Sequence, residues 1–167
     1  MPEIIYQDPI LKKYADLITA STNKFKRIYY GDPIRIGVSE LPALIISKIG
    51  TRVTNHNNVE DLHEVSISFT VVTDVRDTIS DDKDMVSGVN SLYNLIEGRK
   101  ADDYSLREDS LLYILRHSVE LDSKYDLRTD FNTATKVDYG MTMGKRKPDA
   151  WAIEGTVEIT ANFSADR

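Results

Sequence analysis

The sequence predicts an α+β fold: a mostly antiparallel sheet with a long C-terminal β-hairpin, packed against two or three helices. Three patterns carry this. Residues 64–71 alternate strictly between polar and apolar, the signature of a strand with one buried face. Apolar residues recur at helical spacing after Asp8, after Met85 and after Asp109. From about Leu127 the two-residue period returns and runs almost to the C-terminus. At 167 residues the chain fits a single domain, residues 1–167, long enough to bury a sizeable core.

Taken in order, Asp8-Pro9 is a helix-start signal, with Asp8 as N-cap and Pro9 at the first helical position. Ile10, Leu11, Tyr14, Leu17 and Ile18 form the apolar stripe behind it, and the helix fades at Ser21–Asn23. A short strand, Phe25–Tyr30, runs into the turn Gly31-Asp32-Pro33. Leu41-Pro42 opens Ala43–Ile49, an apolar run without clean alternation, which reads as a strand buried on both faces. The polar, Asn-rich stretch Thr51–Asp61 reads as a long hairpin loop. Val65, Ile67, Phe69 and Val71 then face the core opposite Glu64, Ser66, Ser68 and Thr70.

Asp74–Asp84 holds five aspartates and reads as an exposed loop ending in a cap at Ser80 or Asp81. Met85, Val86, Val89, Leu92, Tyr93 and Ile96 give an amphipathic helix that Gly98 stops. Ser105-x-x-Glu108 reads as a capping box for a second helix bearing Leu111, Leu112, Ile114, Leu115 and Val119. In the C-terminal hairpin, Phe131, Thr133, Thr135, Val137, Tyr139, Met141 and Met143 share one direction. After the basic tip Lys145-Arg146-Lys147-Pro148-Asp149, the residues Trp151, Ile153, Val157, Ile159, Ala161 and Phe163 alternate with polar ones. Each arm exceeds ten residues, roughly 35 Å of extended chain. Such an arm is expected to overhang the domain and to pair with a neighbour. Gly140 and Gly144 within it mark a bulge or bend.

The net charge of −6 is concentrated: residues 74–130 carry 14 acidic against 8 basic side chains, while both flanks are balanced. A pI near 5.1 without a cationic stripe argues against ordinary nucleic-acid binding, which needs Lys and Arg to displace counterions from phosphate. No run approaches the ~20 apolar residues of a membrane span. The absence of cysteine removes disulfides, thiolate metal sites and a Cys nucleophile, and the N-terminus lacks a secretory pattern; a cytoplasmic setting is expected.

A search for chemistry returns little. His56 and His63 bracket Asp61 near Glu60 and Glu64, but their spacing matches no mechanical ligand pattern. His117 lies among apolar helix positions, where a packed or half-exposed histidine is the ordinary explanation. There is no nucleophile elbow, Ser-x-x-Lys or phosphate-cradling glycine loop. The Asp pairs 81–82 and 102–103 lack a cleft, and the Asp cluster lacks the alternation and central glycine of a calcium loop. No catalytic or metal residues, no cofactor and no enzymatic activity are therefore expected.

The order of elements is more informative. A helix from Pro9 leads to a short strand and the strand Leu41-Pro42-Ala43-Leu44-Ile45-Ile46. The strand His63–Thr73, helices Met85–Ile96 and Asp109–Val119, and a hairpin ending Val157-Glu158-Ile159 follow. This order resembles the tail terminator (tail completion, or minor tail) proteins of long-tailed bacteriophages, over Pro9 to Phe163. It rests on order and pattern, without a signature residue, and the acidic stretch 74–84 and the length of 51–61 have no counterpart in the family pattern.

The resemblance implies a structural virion protein that forms a homo-hexameric ring on the head-proximal end of the tail tube. There it stops tube polymerisation and docks the head–tail connector or stopper. Its implied partners are itself, the tail tube protein, the connector and the tape-measure protein, with DNA only as the genome passing through the lumen and no membrane. Its implied place is the virion tail, assembled in the host cytoplasm. Lys145, Arg146 and Lys147 are candidate interface residues, and Asp74, Asp77, Asp81, Asp82 and Asp84 candidate lumen-facing ones. The alternatives are another head–tail joining or tail-tube protein, which would polymerise into filaments, and a small α+β ligand-binding module or enzyme with a polar pocket.

Overall fold

A computed structural model describes residues 8–33, 35–74, 86–117, 120–146 and 150–166. The fold is α+β. Helix α1 spans Pro9–Ser21, α2 Val86–Glu97 and α3 Leu111–His117; the strands are β1 (Arg27–Tyr30), β2 (Ala43–Asn55), β3 (Glu60–Asp74), β4 (Arg128–Thr129), β5 (Lys136–Arg146) and β6 (Ala150–Asp166). They form one six-stranded sheet in the order β1-β2-β3-β6-β4, with β5 also on β6. Only β1 and β2 run parallel.

Helix α1 starts where the sequence places it. The Asp8 carboxylate accepts the N–H groups of Ile10 (2.9 Å) and Leu11 (3.2 Å) and takes the Lys48 ammonium of β2 on its other oxygen. Leu11, Tyr14, Ala15 and Ile18 are buried at helical spacing. Burial raises the Asp8 carboxyl, but the bonds from Lys48, Leu11 and Ile10 outweigh it and hold its pKa below the ordinary value. A depressed carboxyl contributes stability above its unfolded pKa, about 4, and loses it as pH falls through the folded value. Asp8→Ala should therefore cost about 1–2 kcal/mol at pH 7. In urea titrations across pH, the gap from wild type should close in acid, and Asp8→Asn should keep the cap while losing the pH dependence.

The sheet separates two apolar layers. Leu44, Ile46, Val65, Ile67, Phe69, Val71, Ile153, Val157, Ile159 and Ala161 face the helices. The first residues of β2 are buried on both faces, as their unbroken apolar run predicts. Ala43 and Ile45 join Val72 and Ala152 on the opposite face, under Ile36 and Leu41 of the β1–β2 crossover. That crossover supplies the span a parallel pair requires. Away from this patch the second face is polar: Ser66, Ser68 and Thr70 stand beside Thr160, Glu158 and Thr156, and the Thr70 and Thr156 hydroxyls lie 3.2 Å apart.

Several sequence expectations change. The stretch 51–61 is not a long loop: β2 continues to Asn55 and β3 starts at Glu60, leaving a tight turn in which the Asn57 side-chain oxygen accepts the N–H groups of Val59 and Glu60 (both 2.8 Å). These strand positions are polar because they are exposed, and the ladder shifts register at the Lys48–Gly50 bulge where the exposed stretch begins.

The C-terminal arm does not overhang. β6 pairs with β3 along its length, from Glu60↔Asp166 to Asp74↔Ala152, so the longest strand is the centre of the sheet. Its partner arm is shorter than the alternation suggests. The Asp130 carboxylate accepts the Asn132 N–H (2.9 Å) and the Thr133 hydroxyl (2.5 Å), and this turn takes Phe131 and Thr133 out of the ladder. The expected bulge is present, between Gly140 and Gly144.

Helix α3 is capped by Ser110, whose hydroxyl donates to the Arg107 carbonyl (2.7 Å) and accepts the Tyr113 N–H (3.4 Å), and not by the Ser105–Glu108 box. Ser105 is held by the Asp103 carboxylate beside the Arg99↔Leu106 bridge. The proposed caps Ser80 and Asp81, together with Met85 and Val119, lie outside the described residues. Helix α2 sits close on the sheet because Gly155 has no side chain: a Cβ there would lie 2.5 Å from Ile96 Cδ1 and 3.1 Å from the Tyr139 ring.

Candidate functional site

Among the described residues no group of three or more His, Asp or Glu side chains is placed to hold a metal ion. The histidines are dispersed. The His63 ring stacks on Phe163 at 4.7 Å, while His117 stacks on Tyr113 at 3.8 Å and has its Nδ1 3.0 Å from the Tyr113 carbonyl. His56 lies at the end of the β2–β3 turn.

Of the proposed acidic set, Asp74 is the last residue of β3, opposite Ala152, and buried; it does not belong to an exposed loop. The ladder with β6 continues through it, and the last four residues of β3, Val71, Val72, Thr73 and Asp74, are all buried. Asp77, Asp81, Asp82 and Asp84 lie outside the described residues. Of the basic set, Lys145 and Arg146 end β5 opposite Trp151 and Ala150, at the hairpin tip as expected, and Lys147 lies outside the described residues.

Several concave sites occur among the described residues, two of them at helix ends. The first, about 420 Å³, is lined by Tyr93, Asn94, Glu97, Arg99 and Tyr139. The Tyr139 hydroxyl donates to Glu97 (2.6 Å), Arg99 pairs with the same carboxylate (2.9 Å), and the two tyrosine rings meet edge-on at 4.6 Å. Burial, then the Glu97 carboxylate, hold the Tyr139 phenol protonated well above its ordinary range. The polar groups of this cleft thus satisfy one another. The second, about 280 Å³, is predominantly apolar and opens at the start of α1, where Pro9, Ile10, Leu127 and Phe163 line it and the Lys13–Asp122 ion pair (3.2 Å) marks its rim.

The largest unsatisfied features are the sheet edges. β1 covers β2 only over Ala43–Ile46, so residues 48–55 have β3 on one side and no strand among the described residues on the other. Ile49 and Val53 there are 56% and 51% exposed. On the far side β5, residues 136–146, has β6 on one side and no strand among the described residues on the other. The two edges are staggered. β5 lies beside residues 150–158 of β6, whereas residues 48–55 of β2 lie level with 159–165, across β3. The alternating hydrophobicity announced β5, whereas residues 51–55 of β2 read as part of a loop, and nothing in either pattern says which neighbour a strand will lack.

No protein-family model matches the chain, and no curated protein is similar enough to match. No helix among the described residues is long and apolar enough to cross a membrane.

Proposed function

We propose that this chain is a structural protein of a phage tail, closing into a six-membered ring that caps the head-proximal end of the tail tube, stops its growth and docks the head connector or stopper. The observation that supports this reading most is the pair of unlike, staggered edges on one sheet. An exposed edge is a template for another chain's strand. β5 runs antiparallel to β2 within the sheet, so the β5 edge of one copy can continue antiparallel onto residues 48–55 of the next. Such a contact joins unlike surfaces head to tail and closes into a ring when the rotation permits. Closing a sheet also requires a register stagger, which these edges already have. The predominantly polar second face suits a water-filled lumen through which the genome passes, and the tape-measure protein is the further neighbour such a ring would meet.

The hairpin tip gives a test. Lys145 and Arg146 end the edge strand and Lys147 follows them in the sequence, a basic run that would meet an acidic neighbour or tube subunit. Reversing all three to glutamate should lower the yield of rings and of capped tails at least tenfold, read by native mass and negative-stain imaging, with the melting temperature unchanged. Undiminished assembly removes these residues from the interface. Filaments from the unmodified protein would favour a tail-tube subunit instead, and stabilisation by a small ligand would favour a binding module.

A further inference from the structure

The pocket at the start of α1 is walled by Pro9, Ile10, Leu127, Phe163 and Ala165. A cavity of about 150 Å³ suffices for benzene, and this one measures about 280 Å³, enough for one large apolar side chain. Its two charged lining residues, Lys13 and Asp122, pair with each other at 3.2 Å. What the pocket offers an occupant is therefore apolar packing, with both charges already matched.

The sequence supplies such an occupant beside it. Residues 1–7 lie outside the described residues and read Met-Pro-Glu-Ile-Ile-Tyr-Gln, with Ile4, Ile5 and Tyr6 in one run. Three large, mainly apolar side chains in a row are unfavourable to leave in water. Asp8 closes α1 at this end. Its carboxylate accepts the N–H groups of Ile10 and Leu11, and its own backbone is extended (φ −59°, ψ 125°), as a residue before proline prefers.

The same carboxylate takes the Lys48 ammonium of β2, so the point where residues 1–7 join the fold is pinned. Pro9 and Ile10, the next two residues, are themselves pocket wall. Seven residues reach at most about 23 Å, which keeps Ile4, Ile5 and Tyr6 close to their own pocket. A tether this short gives an effective concentration of about millimolar, which a second copy or a free ligand would have to exceed.

We propose that residues 1–7 fold back on the first turn of α1 and seat one side chain of Ile4-Ile5-Tyr6 in the apolar pocket of the same chain, between Ile10 and Phe163. The contact is independent of ring closure. It fills the pocket from within, so another apolar group gains the site only by displacing the segment.

The chain has no cysteine, so a designed disulfide has no background. Ala165→Cys is combined in turn with Ile4→Cys, Ile5→Cys and Tyr6→Cys, and a bond forms only where the two Cα atoms come within about 7 Å. In a glutathione buffer at least one pair should close within a single chain, read on a denaturing non-reducing gel and by mass. The same three cysteines should stay open against Ser68→Cys, which stands on the other face of the sheet. The triple variant Ile4→Asp, Ile5→Asp, Tyr6→Asp should melt roughly 3–8 °C lower and bind the apolar dye anilinonaphthalene sulfonate with at least fivefold greater fluorescence. A disulfide between two chains would give the pocket to a second copy's segment and overturn the proposal. So would pairs that never close, pairs that close equally with Ser68→Cys, a triple variant that melts with wild type, or a wild type that already binds the dye as strongly as the variant.

Discussion

Replacing Phe69 by alanine should destabilise the protein by about 3–5 kcal/mol, the cost of a large cavity in a well-packed core. Phe69 is fully buried at the middle of β3, with β2 on one side and β6 on the other. Its ring meets Tyr14 of α1 edge-on at 5.5 Å, so one side chain joins the central strand to a helix at the opposite end of the sequence. Backbone pairing on both flanks prevents β3 from collapsing into the void. The loss should appear as a lower urea midpoint with an unchanged slope. Tyr14→Phe is the control. It keeps the ring contact and removes a hydroxyl that lies 2.8 Å from Thr129 and whose pKa burial pushes up to about 12. Its cost should be only about 1 kcal/mol. A Phe69→Ala protein as stable as wild type would mean that the sheet and α1 are not one cooperative unit.

The second large effect concerns assembly and leaves the fold intact. Ile49→Lys with Val53→Lys places two charges on the free stretch of β2, the device by which edge strands are kept from pairing. Both side chains are more than half exposed, so stability should change by no more than about 0.5 kcal/mol per site. Self-association should weaken at least a hundredfold, because each copy loses the surface its neighbour's β5 would use. Changes of the same kind on the helical faces of α1 or α3, away from the edges and the pocket, should leave association alone. Full association by the double variant would show that β2 is not the receiving edge.

How far the sequence reveals this fold depends on whether a pattern is set locally. The cap at Asp8 and the alternation of Val65, Ile67, Phe69 and Val71 are local, and the structure has both as read. The bulge at Gly140–Gly144 was also legible, because glycine in a long strand has few other uses. What failed depends on tertiary placement. Polar residues 51–55 looked like a loop because that part of β2 is exposed. The length of β6 was read correctly, but length does not reveal that β3 lies along all of it. Ser105 matched a cap motif, yet the left-handed Tyr104 and the Arg99↔Leu106 bridge delay the helix to Ser110. The candidate site was legible in part: the basic tip falls at the end of β5, whereas Asp74 is drawn into the sheet. The staggered edges and the Tyr104 turn left no pattern, because a missing neighbour and a positive φ at tyrosine leave no period.

The central claim is closure, and native mass with negative-stain imaging across protein concentration tests it most directly. The account predicts rings of six 18.9 kDa copies that do not lengthen as concentration rises, and that disperse when the β2 edge carries lysines. Open filaments that grow with concentration, or a monomer that purified tails fail to recruit, would contradict it.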